Sequence, residues 1–189
     1  MNDATSFAVE DSQVTHNGML TTLRVDTLRM PDGATARREI AERPNAVAMV
    51  ALAAGDGGDE VVLVRQYRHA LGAHELELPA GLLDVEGEAE RDAAQRELAE
   101  EVGVRAGHLR HLLTFHNSSG WSDEATSVYL ATDLAPAERP QGFVAEHEEA
   151  DMAVVRMPLA EALAAVRRGE ISDAKTVIGL LLVAAGAAS

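Results

Sequence analysis

The chain's densest chemistry lies at residues 79–104, PAGLLDVEGEAERDAAQRELAEEVGV. Within it Glu97, Glu100 and Glu101 stand at spacings i, i+3 and i+4. On an α-helix such side chains share one face, so three carboxylates crowd into one turn. They repel one another, and near a helix C-terminus the macrodipole adds to the cost. Arg96 adjoins them, but one guanidinium cannot neutralise all three. The crowding makes sense if it holds hard divalent cations, which prefer carboxylate oxygens and keep waters for substrate phosphates. Taken alone, the pattern is more often a solvated acidic face. Its surroundings argue for a site: Gly81 precedes the helix in a loop where backbone can approach a ligand closely.

These carboxylates need a helix over residues 88–102. Ala89, Ala93, Ala94, Leu98 and Val102 form its apolar stripe, facing away from the acids, and Gly103 is placed to stop it. Around it the pattern reads as strands. Residues 19–30 alternate in part, Pro31-Asp32-Gly33 signals a turn, and 35–42 supplies the returning strand. Residues 46–53 are a continuous apolar run, expected of a strand buried on both faces; 55–58 turn the chain and 60–67 form the next strand. Strand-like segments return at 109–114, 126–131 and 153–157. Pro158 opens an amphipathic helix through Arg168, and a last apolar helix starts near Asp173. Strands interrupted by a few helices indicate an α/β or α+β sandwich. Residues 1–45 read as N-terminal strands serving as a dimer or substrate-framing element, and 46–189 as the main domain.

Composition narrows the partners. The net charge is −15, from 31 acids and 16 bases. A surface that negative repels nucleic acid and anionic membrane, so neither is expected as a partner. It also repels anionic nucleotides, unless bound cations and local arginines offset the field. The absence of cysteine removes thiolate metal sites and cysteine nucleophiles. No basic-then-apolar leader is visible, and the longest apolar run, 177–188, falls short of the roughly 20 residues a span requires; a cytoplasmic location is expected. The histidines show no zinc-ligand spacing, and no Walker-type loop is present.

Gly81, Glu88, Arg96, Glu97, Leu98, Glu100, Glu101, Gly103 and Val104 together resemble the Nudix box, the signature of the Nudix hydrolases. The departure is six residues between Gly81 and Glu88, where the box usually has five; the extra residue falls in the loop before the helix. The resemblance implies Glu97, Glu100 and Glu101 as Mg²⁺ ligands, with Mn²⁺ as a possible substitute, and the Ala80 carbonyl completing the site. Glu97 and Glu101 would be catalytic in that sense. Gly81, Glu88 and Arg96 would orient the helix and its carboxylates.

The flanks are similar to the ADP-ribose pyrophosphatase branch across residues 15–180. They comprise Arg38-Glu39, Gln66-Tyr67-Arg68, Glu77-Leu78-Pro79-Ala80-Gly81, Gly120-Trp121-Ser122-Asp123-Glu124 and Glu148-Glu149-Ala150-Asp151-Met152. By that likeness Arg68 would contact substrate phosphates; its alternative is a pairing with one of the many acids. Arg38 and Glu39 would frame the adenine from a partner subunit, or else be strand-surface charges. Ser118 and Glu124 would lie near the terminal ribose, with Ser119 where the branch has Pro. Glu149 would activate the attacking water or hold a further Mg²⁺, with Glu148 as the fallback. Leu76 stands where the branch often has Trp, so a stacking contact to the base is missing. The implied fold is an α/β/α sandwich with a mixed central sheet plus N-terminal strands, and the implied assembly a homodimer. The implied reaction is Mg²⁺-dependent hydrolysis of ADP-ribose to AMP and ribose 5-phosphate. The alternatives are another nucleoside diphosphate sugar, a dinucleotide coenzyme, or ADP-ribose sensing without hydrolysis.

Overall fold

An apolar run such as 46–53 demands cover on both sides, and the structure supplies it. The protein is seen in a computed structural model that describes residues 7–139 and 151–187. The chain separates into two units, one of residues 46–115 and 126–187, the other of 7–45 and 116–125.

In the larger unit the apolar run becomes β4 (Ala46–Gly55), whose residues Val47 to Ala51 are fully buried. It pairs antiparallel with β5 (Gly58–Arg68) and parallel with β9 (Ala125–Pro136). β10 (Ala153–Pro158) lies beyond β5, and β8 (Val104–His116) lies beyond β9. β8 runs longer than its expected 109–114. Two short strands complete the mixed sheet: β6 (Ala73–Glu77) on β5 and β7 (Ala80–Leu82) on β4.

Helices cover both faces. On one side α1 (Glu90–Val102) packs Ala93, Ala94 and Leu98 against Val47, Met49 and Val62. On the other, α2 (Leu159–Arg168) and α3 (Ala174–Leu182) pack Ala162, Ala165 and Leu180 against Val50, Leu63 and Val128. Gly179 permits the close approach of α3: a Cβ there would lie 2.7 Å from Leu78 Cδ1 and 2.8 Å from Val50 Cγ2. Pro158 and Asp173 stand at the N-caps of α2 and α3, as expected; α1 begins two residues after its expected start. No helix among the described residues is long and apolar enough to cross a membrane.

One detail of strand pairing sets up the site. β5 pairs with β4 through Val62, then pairs with β6 from Val64 onward. The chain returns to β4 where Ala80 pairs with Ala48. Residues 77–80 therefore bridge two strands that have parted.

The smaller unit is a three-stranded antiparallel sheet of β1 (Ala8–Asn17), β2 (Thr22–Arg29) and β3 (Thr35–Glu42). Its second turn carries Gly33 at φ 82°, a left-handed conformation that suits glycine. β1 is exposed along its whole length and bulges twice against β2.

Candidate active site

α1 ends as its sequence demands. Gly103 adopts φ 66° and its N–H donates to the Leu98 carbonyl. Two of the helix's acids are shielded from water, and the backbone of β7 explains one of them. Glu97 is buried with Ala93, Ala94 and Leu98, which corrects the expectation that the apolar stripe faces away from all the carboxylates. It can lie there because the facing residue is Gly81: a Cβ at that position would fall 2.0 Å from Glu97 Cδ. Gly81 thus leaves the space a carboxylate occupies.

Arg96 ties the cluster together. Its Nε and Nη2 donate to the two oxygens of Glu88, at 3.1 and 2.9 Å. Its Nη1 donates to Glu97 at 2.5 Å and to Glu100 at 3.2 Å. Hydrogen bonding from Arg96 holds the Glu88 carboxyl below its ordinary range. Burial instead pushes Glu97 up to about 7, against the opposing charge and hydrogen bond of Arg96. Glu101 turns onto the backbone, accepting from the Ala80 N–H at 2.9 Å. Loss of water around its carboxyl pushes it up to about 8, further than that hydrogen bond and the charges of Lys175 and Arg68 lower it. Where the sequence suggested a role for the Ala80 carbonyl, the contact seen is from its amide.

Among the described residues no three acidic or histidine groups converge as a ready-made cation cage. Arg96 lies between Glu97 and Glu100, and Glu101 faces Ala80. The donor set nonetheless suits a hard divalent cation. Glu88, Glu97 and Glu100 share one bonded arginine and Glu101 is held by a backbone amide, and carboxylate oxygens are the ligands such ions prefer. The bare backbone at Gly81 keeps one of them in place.

Arg68 takes the alternative its sequence left open. Its Nε and Nη2 form a two-pronged contact with Glu77, both at 2.6 Å. Glu77 is only 1% exposed and also binds Lys175. Lys175 donates in turn to Asp173 at 2.9 Å, and Thr176 Oγ1 accepts from the Leu78 N–H at 2.8 Å. Glu77 stood in the flanking motif without a role. Lys175 and Thr176 were missed, because nothing in the sequence links positions 98 residues apart.

Arg38, Glu39, Ser118 and Glu124 all fall in the smaller unit. Arg38 lies opposite Asp26 and Glu39 opposite Val25, so the two side chains leave opposite faces of the sheet. Glu124 forms an ion pair with Arg43 at 3.8 Å. The Ser118 carbonyl accepts from the N–H groups of Trp121 and Ser122, closing the loop's turn. Glu148 and Glu149 lie outside the described residues.

Comparison with known proteins agrees with this architecture. Residues 42–177 match the NUDIX domain family. Over 177 residues the chain is 44% identical to a Mycobacterium tuberculosis protein named ADP-ribose pyrophosphatase, covering 94% of this chain and 83% of that one. It is 37% identical over 164 residues to a Bacillus methanolicus protein named methanol dehydrogenase activator, covering 87% and 85%. A crystal structure of an ADP compounds hydrolase superposes with a TM-score of 0.82 at 28% identity, covering 96% of this chain and 94% of that one.

Proposed function

The chain belongs to the Nudix family and is a pyrophosphohydrolase of that family; from this premise we propose that it hydrolyses ADP-ribose, with Mg²⁺, to AMP and ribose 5-phosphate. The observation that carries the reading is the water-shielded pair Glu97 and Glu101, one in the space left by Gly81 and the other on the Ala80 amide. The pair belongs to a chain similar over most of its length to a protein named for this activity.

Glu97, Glu100 and Glu101 are the proposed ligands, and the Ala80 carbonyl completes the set. Mg²⁺, or Mn²⁺ in its place, would supply positive charge to the pyrophosphate and lower the pKa of a bound water. Arg96 holds Glu97, Glu100 and Glu88 in mutual register while leaving the group net negative. The Ala80 N–H fixes one oxygen of Glu101, which leaves the other to face a ligand. Arg68, anchored at one edge by Glu77, presents its charge to the substrate's phosphates. Water attacks one phosphorus in line, the bridging P–O bond breaks, and a carboxylate accepts the water's proton. We assign that base to Glu149, with Glu148 as its fallback. Arg38 and Glu39 are assigned to the adenine and Ser118 and Glu124 to the terminal ribose. The division into a framing element and a hydrolytic domain, a homodimeric assembly and a cytoplasmic location belong to the same reading. Light scattering at about micromolar concentration, where many stable dimers remain associated, tests the assembly: a monomer removes it.

Another nucleoside diphosphate sugar or a dinucleotide coenzyme is the second reading, favoured by Leu76, which offers the base no ring to stack on. A hydrolysis panel of ADP-ribose, GDP-mannose and NADH, with Mg²⁺ and an EDTA control, separates the two. AMP released fastest from ADP-ribose, and abolished by EDTA, supports the proposal. Faster turnover of another substrate moves the specificity, and tight ADP-ribose binding without turnover replaces hydrolysis by sensing.

A further inference from the structure

We propose that the start of α3 is a positioning device for the reaction: Asp173, Lys175 and Thr176 hold Glu77, and Glu77 holds Arg68 in the orientation that meets the substrate's phosphates. The inference rests on the reading of Arg68 as a phosphate ligand.

The parting of β4 and β5 creates the need for such a device. Between Glu77, paired with Val64, and Ala80, paired with Ala48, the chain crosses from one strand to the other. Within the crossing the Pro79 carbonyl accepts from the Met49 N–H at 2.9 Å, but Leu78 belongs to neither strand, and the crossing carries the anchor of Arg68 at one end and the amide that orients Glu101 at the other. α3 supplies the missing hold. Thr176 Oγ1 accepts from the Leu78 N–H at 2.8 Å while giving its own proton to Asp173 Oδ2 at 2.6 Å. Asp173 also accepts from the Thr176 N–H at 3.0 Å, capping the helix. Lys175 joins Asp173 to Glu77. The helix sits close enough for this because Gly179 brings no side chain against Leu78.

The energetics of Glu77 make the arrangement directional. An isolated carboxylate that deeply buried would take up a proton rather than remain charged. Burial does push Glu77 up, but hydrogen bonds and charge from Arg68 and Lys175 outweigh it and hold the carboxyl below its ordinary range. The ionised group then grips the guanidinium by two nitrogens, which fixes its plane as well as its position. The Arg68 side chain remains 42% exposed, so a fork anchored on its inner edge keeps its outer edge toward solvent. Lys175, at 15% exposed, serves the anchor rather than offering itself to a ligand.

The test uses whichever pyrophosphate substrate the wild type turns over fastest. Loss of ADP-ribose as substrate would therefore sink the substrate reading and leave this inference open to the same trial. Glu77→Gln keeps the shape and removes the charge; KM is expected to rise about tenfold with kcat within about threefold of wild type. In an Arg68→Lys background the same change should add less than about twofold to KM, because the fork it held is already gone. A general loosening of the fold would instead lower kcat and multiply with Arg68→Lys. An unchanged KM for Glu77→Gln, or fully multiplicative effects in the double variant, overturns the proposal. If Glu77→Gln does not fold, Lys175→Gln decides. A KM rise that Lys175→Arg restores to within about twofold supports the device, and a KM equal to wild type in Lys175→Gln removes it.

Discussion

The box helix and the three-stranded sheet of the smaller unit carry similar charges to opposite effect. In α1, Arg96 binds Glu88, Glu97 and Glu100, and the carboxyls of Glu97 and Glu101 lose water until burial raises both. In the small sheet, Arg24 binds Asp26 and Glu42, and Ser12 donates to Asp26 at 2.7 Å. There one guanidinium serves two carboxylates, a surplus of a single negative charge, and Asp26 takes the Ser12 hydroxyl as well. The first region holds the larger surplus, one arginine against three bonded carboxylates with Glu101 beside them, which a cation would offset; the second has one arginine against two. The same residue types therefore make a site in one place and a scaffold in the other, and the difference lies in how much opposite charge the fold delivers.

The largest effect should come from the surplus itself. Glu101→Gln is expected to lower kcat by about a thousandfold or more, since it would remove a proposed metal ligand whose charge acts on the transition state. Circular dichroism should show the fold intact, and near-normal turnover would dismiss the assignment. Gly81→Ala comes next. Its Cβ would collide with the Glu97 carboxylate and displace it, so a loss of about a hundredfold in kcat is expected from ligand misplacement. An active Gly81→Ala enzyme would mean that Glu97 has another place to go.

The pH dependence sharpens the comparison without mutation. Glu97 at about 7 and Glu101 at about 8 both stand above the ordinary 4.5. In the metal-free protein their raised values contribute stability that is complete below about pH 4.5 and is lost as pH rises through about 8. Metal ligation needs the deprotonated forms, so Mg²⁺ should stabilise more as pH rises. Thermal unfolding at pH 8.5 should show a Mg²⁺-induced Tm gain of about 4 °C, falling below about half of that at pH 6. An equal gain at both values would separate these carboxylates from the metal. The smallest effects belong to the small sheet. Arg38→Ala and Glu39→Ala should each raise KM by about twofold to fivefold with kcat little changed. Because the two side chains leave opposite faces, only one of them is expected to show the larger shift; equal large losses in kcat would place both in the chemistry itself.

Much of this was legible before any coordinates. The run at 46–53 reads as a strand covered on both sides, residues 88–102 read as a helix stopped by Gly103, and Glu97, Glu100 and Glu101 share one face of it. Those readings rest on local periodicity, which a few residues suffice to express. β6 and β7 were not legible, being five and three residues long and too short to show a period. The burial of Glu97 was not legible either, because it depends on a glycine from another element lying over it.

By itself, then, the order of residues determined which groups are close along the chain: the carboxylate turn, its glycine stop, the alternation of the strands and the excess of negative charge. Tertiary structure alone decided which groups meet across it. It placed Lys175 on Glu77 and Thr176 on the Leu78 amide over 98 positions, and it gave the Arg68 fork to Glu77. The reason is physical. Helical and strand periods are set by the backbone within a few residues, whereas the partner of a buried charge is set by where the packed core has room for it, and that depends on the whole chain at once.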